Sequence, residues 1–256
     1  MNSMNNKVLV TAGCSFSECV NWDVHHNPDN RTWPIFLRER LAGIKHYSEA
    51  MGSQGNGLIS RRVQYRVSEL LKTYYAEDIT VGILWTGRDR FEFYFEQPIE
   101  FTTNLDGWIE NPTRVADEAP GGWVICNPHW THVHNAPWYR HYYNEVAAQL
   151  YTLEHIVNTQ NFLKLHKIKY FMSTNYSTTF NEQHRHNANC SWLWNQIDWS
   201  NWLPISNEHD WVKENCPIPG ANNFHPRPEQ HEKFVDQVIL PWMIENKFIK
   251  LIDNTI

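Results

Sequence analysis

Apolar residues along the chain form short unbroken runs, separated by longer stretches in which they recur every three or four positions. The first run, Lys7-Val8-Leu9-Val10-Thr11, breaks at Ala12-Gly13-Cys14-Ser15 into small residues, and it predicts a buried strand that delivers a serine to the rim of a sheet. Residues 32–41 then read as a helix, with Thr32 in capping position, Pro34 early, and Trp33, Phe36, Leu37 and Leu41 at core-facing intervals. Gly43 ends it, and residues 44–47 read as a short second strand. A glycine-rich stretch, Gly52-Ser53-Gln54-Gly55-Asn56-Gly57, precedes a helical pattern over residues 58–74. Residues 78–86 are nearly all apolar, as a parallel strand covered on both faces requires, and run into Gly87-Arg88-Asp89-Arg90-Phe91-Glu92. That places charged side chains at the carboxyl edge of a strand, where open α/β sheets bind ligands.

Farther along, residues 93–137 are irregular, with Pro98, Pro112, Pro120-Gly121-Gly122, Pro128 and Pro137 among aromatics, and predict an insertion holding a small hairpin. One long helix is expected over residues 138–161, with Tyr142, Val146, Leu150, Leu153 and Val157 on its inner face. Residues 168–173 read as a strand. Residues 175–219 are polar and carry Trp192, Trp194, Trp199, Trp202 and Trp211, which suit a covering segment tethered to the body by its aromatics. The last helix spans residues 228–244, with Phe234, Val238 and Met243 inward and Pro241 bending it or ending its first part. Strands near 8, 45, 80 and 170 alternating with helices predict one three-layer α/β/α sandwich over residues 1–256 with a mainly parallel central sheet and insertions at about 91–137 and 175–219.

Composition narrows the function. The net charge of the 256 residues is -6 with no dominant basic patch, which argues against nucleic acid as a partner. No apolar run approaches the ~20 residues of a membrane span, and the polar start MNSMNNK lacks a secretory leader, so a cytoplasmic protein is expected. Five cysteines, Cys14, Cys19, Cys126, Cys190 and Cys216, fit reduced thiols. The glycine-rich stretch lacks a Gly-Lys-Ser/Thr ending and is not a dinucleotide fingerprint, so no phosphate-bearing cofactor is expected.

Near the end of the chain, Ala221-Asn222-Asn223-Phe224-His225-Pro226 sets a histidine in a loop closed by proline. A serine early, glycines after the second strand, a charged turn after the third and a histidine before the last helix follow an order that resembles the SGNH, or GDSL-like, hydrolase family. Gly13-Cys14-Ser15-Phe16-Ser17 resembles the first block, with Cys14 where the family has aspartate; the resemblance implies that Ser15 is the nucleophile. Residues 52–56 resemble the second block, whose glycine gives an oxyanion-hole N–H, with Gly52 and Gly55 both in position for it. Trp85-Thr86-Gly87-Arg88-Asp89 stands in the third block without its asparagine, leaving Asn56 or Arg88 as substitute donors. His225-Pro226 resembles the last block and implies His225 as general base, with Asn222 where the family has the orienting aspartate. A flavodoxin-like layout comes with the same resemblance.

Ester hydrolysis needs a nucleophile, a base and donors for the developing oxyanion, and these residues supply all three. An asparagine in the acid position fixes a tautomer but carries no charge; in serine proteases that change costs about 10⁴ in rate. Asp210, Glu208 and Asp198 in the covering segment are the alternative acids. Cys14 is read as buried packing beside Ser15. His129, His132, His134, His184 and His186 show no familiar zinc spacing, and neither a metal nor a cofactor is required. The expected function is a serine esterase acting through an acyl-enzyme on a small-molecule or carbohydrate ester, an O-acetyl group first; the alternative is a binding or structural module that kept the fold and lost efficient chemistry.

Overall fold

Residues 7–19, 31–42, 44–95, 122–126, 135–217 and 225–249 are described by a computed structural model of the chain. The described residues form six strands: β1 (Val8–Ala12), β2 (Lys45–Ser48), β3 (Ile79–Trp85), β4 (Phe91–Phe95), β5 (Gly122–Cys126) and β6 (Lys169–Thr174). Four of them make a parallel sheet in the order β2-β1-β3-β6, with Val8 opposite both Lys45 and Ile79 and Thr80 opposite Lys169. β4 and β5 pair antiparallel on their own, Phe91 opposite Cys126, where the sequence predicts a small hairpin.

Helices α1 (Trp33–Arg40), α2 (Asn56–Leu70), α3 (Asn135–His141), α4 (Glu145–Leu165), α5 (Ala188–Trp194), α6 (Glu208–Asn215), α7 (Pro228–Phe234) and α8 (Leu240–Glu245) cover the sheet. Alternation of side chains along the strands splits the core in two. Leu9, Leu84 and Phe171 pack against Trp33, Phe36 and Leu37 of α1 and against Phe234, Val238 and Met243 from the C-terminal helices. Val8, Val10, Ala12, Val81, Ile83 and Met172 point the other way, onto Ile59, Val63 and Val67 of α2 and Leu153 and Ile156 of α4. Fully burying one such side chain contributes about 1.5–3 kcal/mol relative to leaving it exposed. The chain therefore folds as α/β, a four-stranded parallel sheet between two helical layers. Strand order reverses at β1, because β2 lies to one side of it and β3 to the other. This is the switch point at which open sheets leave a crevice beyond the strand ends.

Three local expectations change. The helix expected over residues 138–161 is two helices, because Asn144 takes an extended conformation and its side chain accepts the N–H groups of Val146 and Ala147, capping α4. Tyr142 falls in the break and is 70% exposed, off the inner face assigned to it. Thr32 does not cap α1 with its side chain; its hydroxyl donates to the Glu18 carbonyl at 2.9 Å, tying the helix to the end of the β1 turn. Near Pro241 the backbone widens into a π-turn over Val235–Ile239 and stays helical on either side, so the missing N–H is accommodated without ending the helix.

The tryptophan-rich segment closes the free edge of the sheet. Trp194, Trp199 and Trp202 surround Phe180 with ring centroids 5.1, 5.7 and 5.5 Å away, and Leu203 donates its N–H to the Met172 carbonyl at 2.9 Å. The edge strand β6 thus gains a partner for its backbone, which limits pairing with other chains. Among the described residues no helix is long and apolar enough to cross a membrane.

Packing between β3 and β6 is tight enough to test. A Cβ added at Gly82 would meet the Phe171 ring, with Cε1 only 2.9 Å away. Gly82→Ala is expected to destabilise by about 1–3 kcal/mol through overpacking, read as a lower urea midpoint at unchanged slope. An unchanged midpoint would contradict the Gly82–Phe171 apposition.

Candidate active site

At the end of β1 the backbone turns sharply, closed by the Ser17 N–H donating to the Cys14 carbonyl at 2.9 Å. Gly13 makes room for the turn: a Cβ there would lie 2.9 Å from the Leu84 carbonyl oxygen and against the Ser17 hydroxyl. Phe16 and Ser17 face inward, the latter accepting the Trp33 indole N–H at 2.8 Å, while Ser15 is left half-buried at the rim. Its Oγ lies 2.7 Å from His225 Nε2, across 210 residues of sequence. The Phe16 ring supports that imidazole with centroids 5.0 Å apart, and Tyr176 meets Phe16 edge-on at 4.8 Å, with His209 completing the aromatic group 5.2 Å from Tyr176.

Cys14 is fully buried, its sulfur 2.7 Å from the Asn175 side-chain nitrogen and 3.8 Å from the Ser15 hydroxyl. The hydroxyl of Ser15 is thus at the rim and the thiol of Cys14 is packed.

The glycine-rich stretch docks onto the same strand end. Met51 donates its N–H to the Gly13 carbonyl at 3.3 Å and Gln54 donates its side-chain amide to the same oxygen at 2.5 Å. Between them Gly52 and Ser53 form a turn, with Ser53 at φ 60°. The two candidate glycines have different fates. Gly55 donates its N–H to Glu92 Oε1 at 2.5 Å, so it is committed to holding the start of α2 and is not open as an oxyanion donor. Gly52 stays half-buried in the turn, and its N–H meets no acceptor among the described residues. Asn56 is likewise spent on structure. Its side chain accepts the Thr86 N–H at 2.9 Å and donates to the Thr86 carbonyl at 3.1 Å, clipping α2 to the end of β3. Arg88, the other substitute donor, is held by Glu145, with Nε at 3.0 Å, and by the Thr178 carbonyl at 2.6 Å.

Asn222 and the histidines His129, His132 and His134 lie outside the described residues. The alternative acids are engaged elsewhere. Glu208 bonds His231 Nδ1 at 2.8 Å in a pair buried from solvent, where burial pushes its carboxyl up and His231 holds it down. Asp198 caps a turn through the Ser200 N–H and pairs with Lys164, and Asp210 takes the Asn207 amide at 2.7 Å. His184 and His186 sit in the short helical turn Glu182–His186, and among the described residues no group of three or more histidines, cysteines or carboxylates is placed to hold a metal.

Two residues near the site escape a reading by blocks. Asn175 directly follows β6, donates to Cys14, and leaves its Oδ1 buried without a partner. Arg90 lies in the charged turn after β3, and its Nη1 meets no hydrogen-bond acceptor among the described residues. Both stand at carboxyl ends of parallel strands; the position rule applied to the charged turn would also have found Asn175.

Glu92 ties electrostatics to this geometry. Burial raises its carboxyl to about 7, opposed mainly by the Gly55 N–H. Its folded value exceeds the unfolded one, so the native state binds the extra proton and stability falls as pH rises from about 4.5 to about 7. His46 and His155, lowered by burial to about 4, act oppositely: their contribution is lost as pH falls from 6.5 toward 4. The Glu92→Gln variant cannot ionise there, so relative to wild type it is expected to be more stable at pH 8 than at pH 5 in urea unfolding. A stability difference identical at the two pH values would count against a charged, buried Glu92. No protein-family model matches the chain, and no curated protein matches it.

Proposed function

We propose that the protein is a serine esterase of the SGNH-like kind, and the observation that carries this reading is the 2.7 Å contact between Ser15 Oγ and His225 Nε2 at the switch point of a parallel sheet. A hydroxyl at a sharp strand-end turn bonded to an imidazole from a distant loop is what activates a serine. Ser15 Oγ attacks the ester carbonyl carbon while His225 takes its proton. The tetrahedral intermediate collapses with the C–O bond to the alcohol breaking, and His225 returns the proton to that oxygen. Water, deprotonated by His225, then attacks the acyl-enzyme and releases the acid. The N–H groups of Ser15 and Gly52 are the donors assigned to the oxyanion, since Gly55 and Asn56 have other partners.

Asn222, uncharged where the family has its aspartate, and the missing third-block asparagine favour one competing reading, a module that binds esters without efficient turnover. Kinetics on p-nitrophenyl acetate separate the two. Ser15→Ala and His225→Ala should each lower kcat by more than about 10³-fold while leaving the circular dichroism spectrum unchanged. Wild-type rates no higher than those of the two variants would leave the binding reading in place.

A further inference from the structure

Arg90 stands out because, among the described residues, its guanidinium meets no hydrogen-bond acceptor. It leaves the Gly87–Arg90 turn at the carboxyl end of β3, its own N–H donating to the Gly87 carbonyl at 3.4 Å. Its carbonyl oxygen lies over Gly55, 2.8 Å from where a Cβ would stand, which sets its backbone beside the glycine-rich stretch that docks on the Ser15 turn. The side chain is half-buried, Nη1 is shut off from solvent, and no carboxylate or carbonyl accepts from the guanidinium among the described residues. Its neighbours on the same turn behave differently: Arg88 is bound by Glu145 and Thr178. Glu92 is also near, yet its Oε1 takes the Gly55 N–H and its Oε2 lies 4.0 Å from Arg61. The strand that leads to Arg90 ends against the serine turn: the Leu84 carbonyl oxygen lies 2.9 Å from where a Cβ on Gly13 would stand. Across the same strand ends the Tyr176 ring packs on Phe16, which supports His225.

A guanidinium nitrogen shut off from water without an acceptor is costly, and the usual compensation is an oxyanion that accepts two parallel N–H bonds. We propose that Arg90 binds an anionic group, a carboxylate or a phosphate, carried by the ester on which Ser15 acts. The acyl or alcohol portion of the substrate is then negatively charged, and a neutral acetyl ester is a poor mimic of it. Arginine suits this role better than lysine because its planar fork matches the two oxygens. The proposal rests on the esterase reading for the word substrate, but the anion site does not.

Two measurements keep the parts distinguishable. Hydrolysis of mono-p-nitrophenyl succinate and p-nitrophenyl acetate, which share a leaving group, reads the charge preference: wild type should favour the succinate ester in kcat/KM, and Arg90→Gln should reduce that preference at least ~10-fold, mostly through KM. Calorimetric titration with monomethyl succinate and with inorganic phosphate reads the anion site without chemistry and shows which oxyanion it prefers. Binding retained in Ser15→Ala and weakened ~10-fold or more in Arg90→Gln supports the site even where no ester is hydrolysed. Should Arg90→Gln fold poorly, Arg90→Lys keeps the charge without the fork and should bind either anion more weakly than wild type. Equal binding by wild type and a folded Arg90 variant, or no binding of either anion to wild type, overturns the proposal.

Discussion

The C-terminal end of β1 is the constraint on which the site depends. Leu9 is buried against one helical layer, Val8, Val10 and Ala12 against the other, and β1 is flanked by β2 and β3. When the chain leaves such a strand its backbone groups lose their ladder and cannot turn to water, so other protein groups must satisfy them. The Gly13 carbonyl is met by the Met51 N–H and the Gln54 amide, and the Cys14 carbonyl by the Ser17 N–H. Those bonds bring the second glycine block to the first and leave Ser15 facing outward. A structural requirement of the strand end and the presentation of a serine are thus one arrangement.

Around it, the polar residues of the buried rim are divided between holding the frame and facing the crevice. Asn56, Glu92 and Arg88 hold the frame, each using its bonding capacity on backbone or on a fixed partner. Glu208 with His231 does the same beneath α6 and α7. At the crevice, among the described residues, Ser15 and His225 bond each other and the Gly52 N–H meets no acceptor. On the function proposed above these serve as nucleophile, base and oxyanion donor, with Arg90 holding the charge of the ester.

Much of the frame was legible in the sequence because apolar runs in a covered parallel sheet have no polar interruptions. Residues 78–86 and 168–173 read as strands and formed β3 and β6 to within a residue at each end. Residues 138–161 read as a single helix because the spacing from Tyr142 to Val146 is helical, whereas the cap supplied by Asn144 is a local competition that periodicity does not register. For the site, the order of serine and histidine was readable, and their contact joins residues 210 apart. The roles of Gly55 and Asn56 were not, because a glycine N–H or an asparagine amide serves frame or chemistry according to which acceptor tertiary packing brings to it. Glu92, from an insertion, took the Gly55 N–H, and Thr86 took Asn56. Arg90 was visible only as one charge in a charged turn; that its Nη1 meets no acceptor among the described residues is a property of the fold.

The claim that Ser15 is chemically activated is tested most directly by intact-mass analysis after treatment with a fluorophosphonate, using wild type and Ser15→Ala in parallel. The account predicts a single covalent adduct on wild type that disappears in the variant. A folded wild-type protein that takes no adduct, or a variant labelled to the same extent, would contradict it.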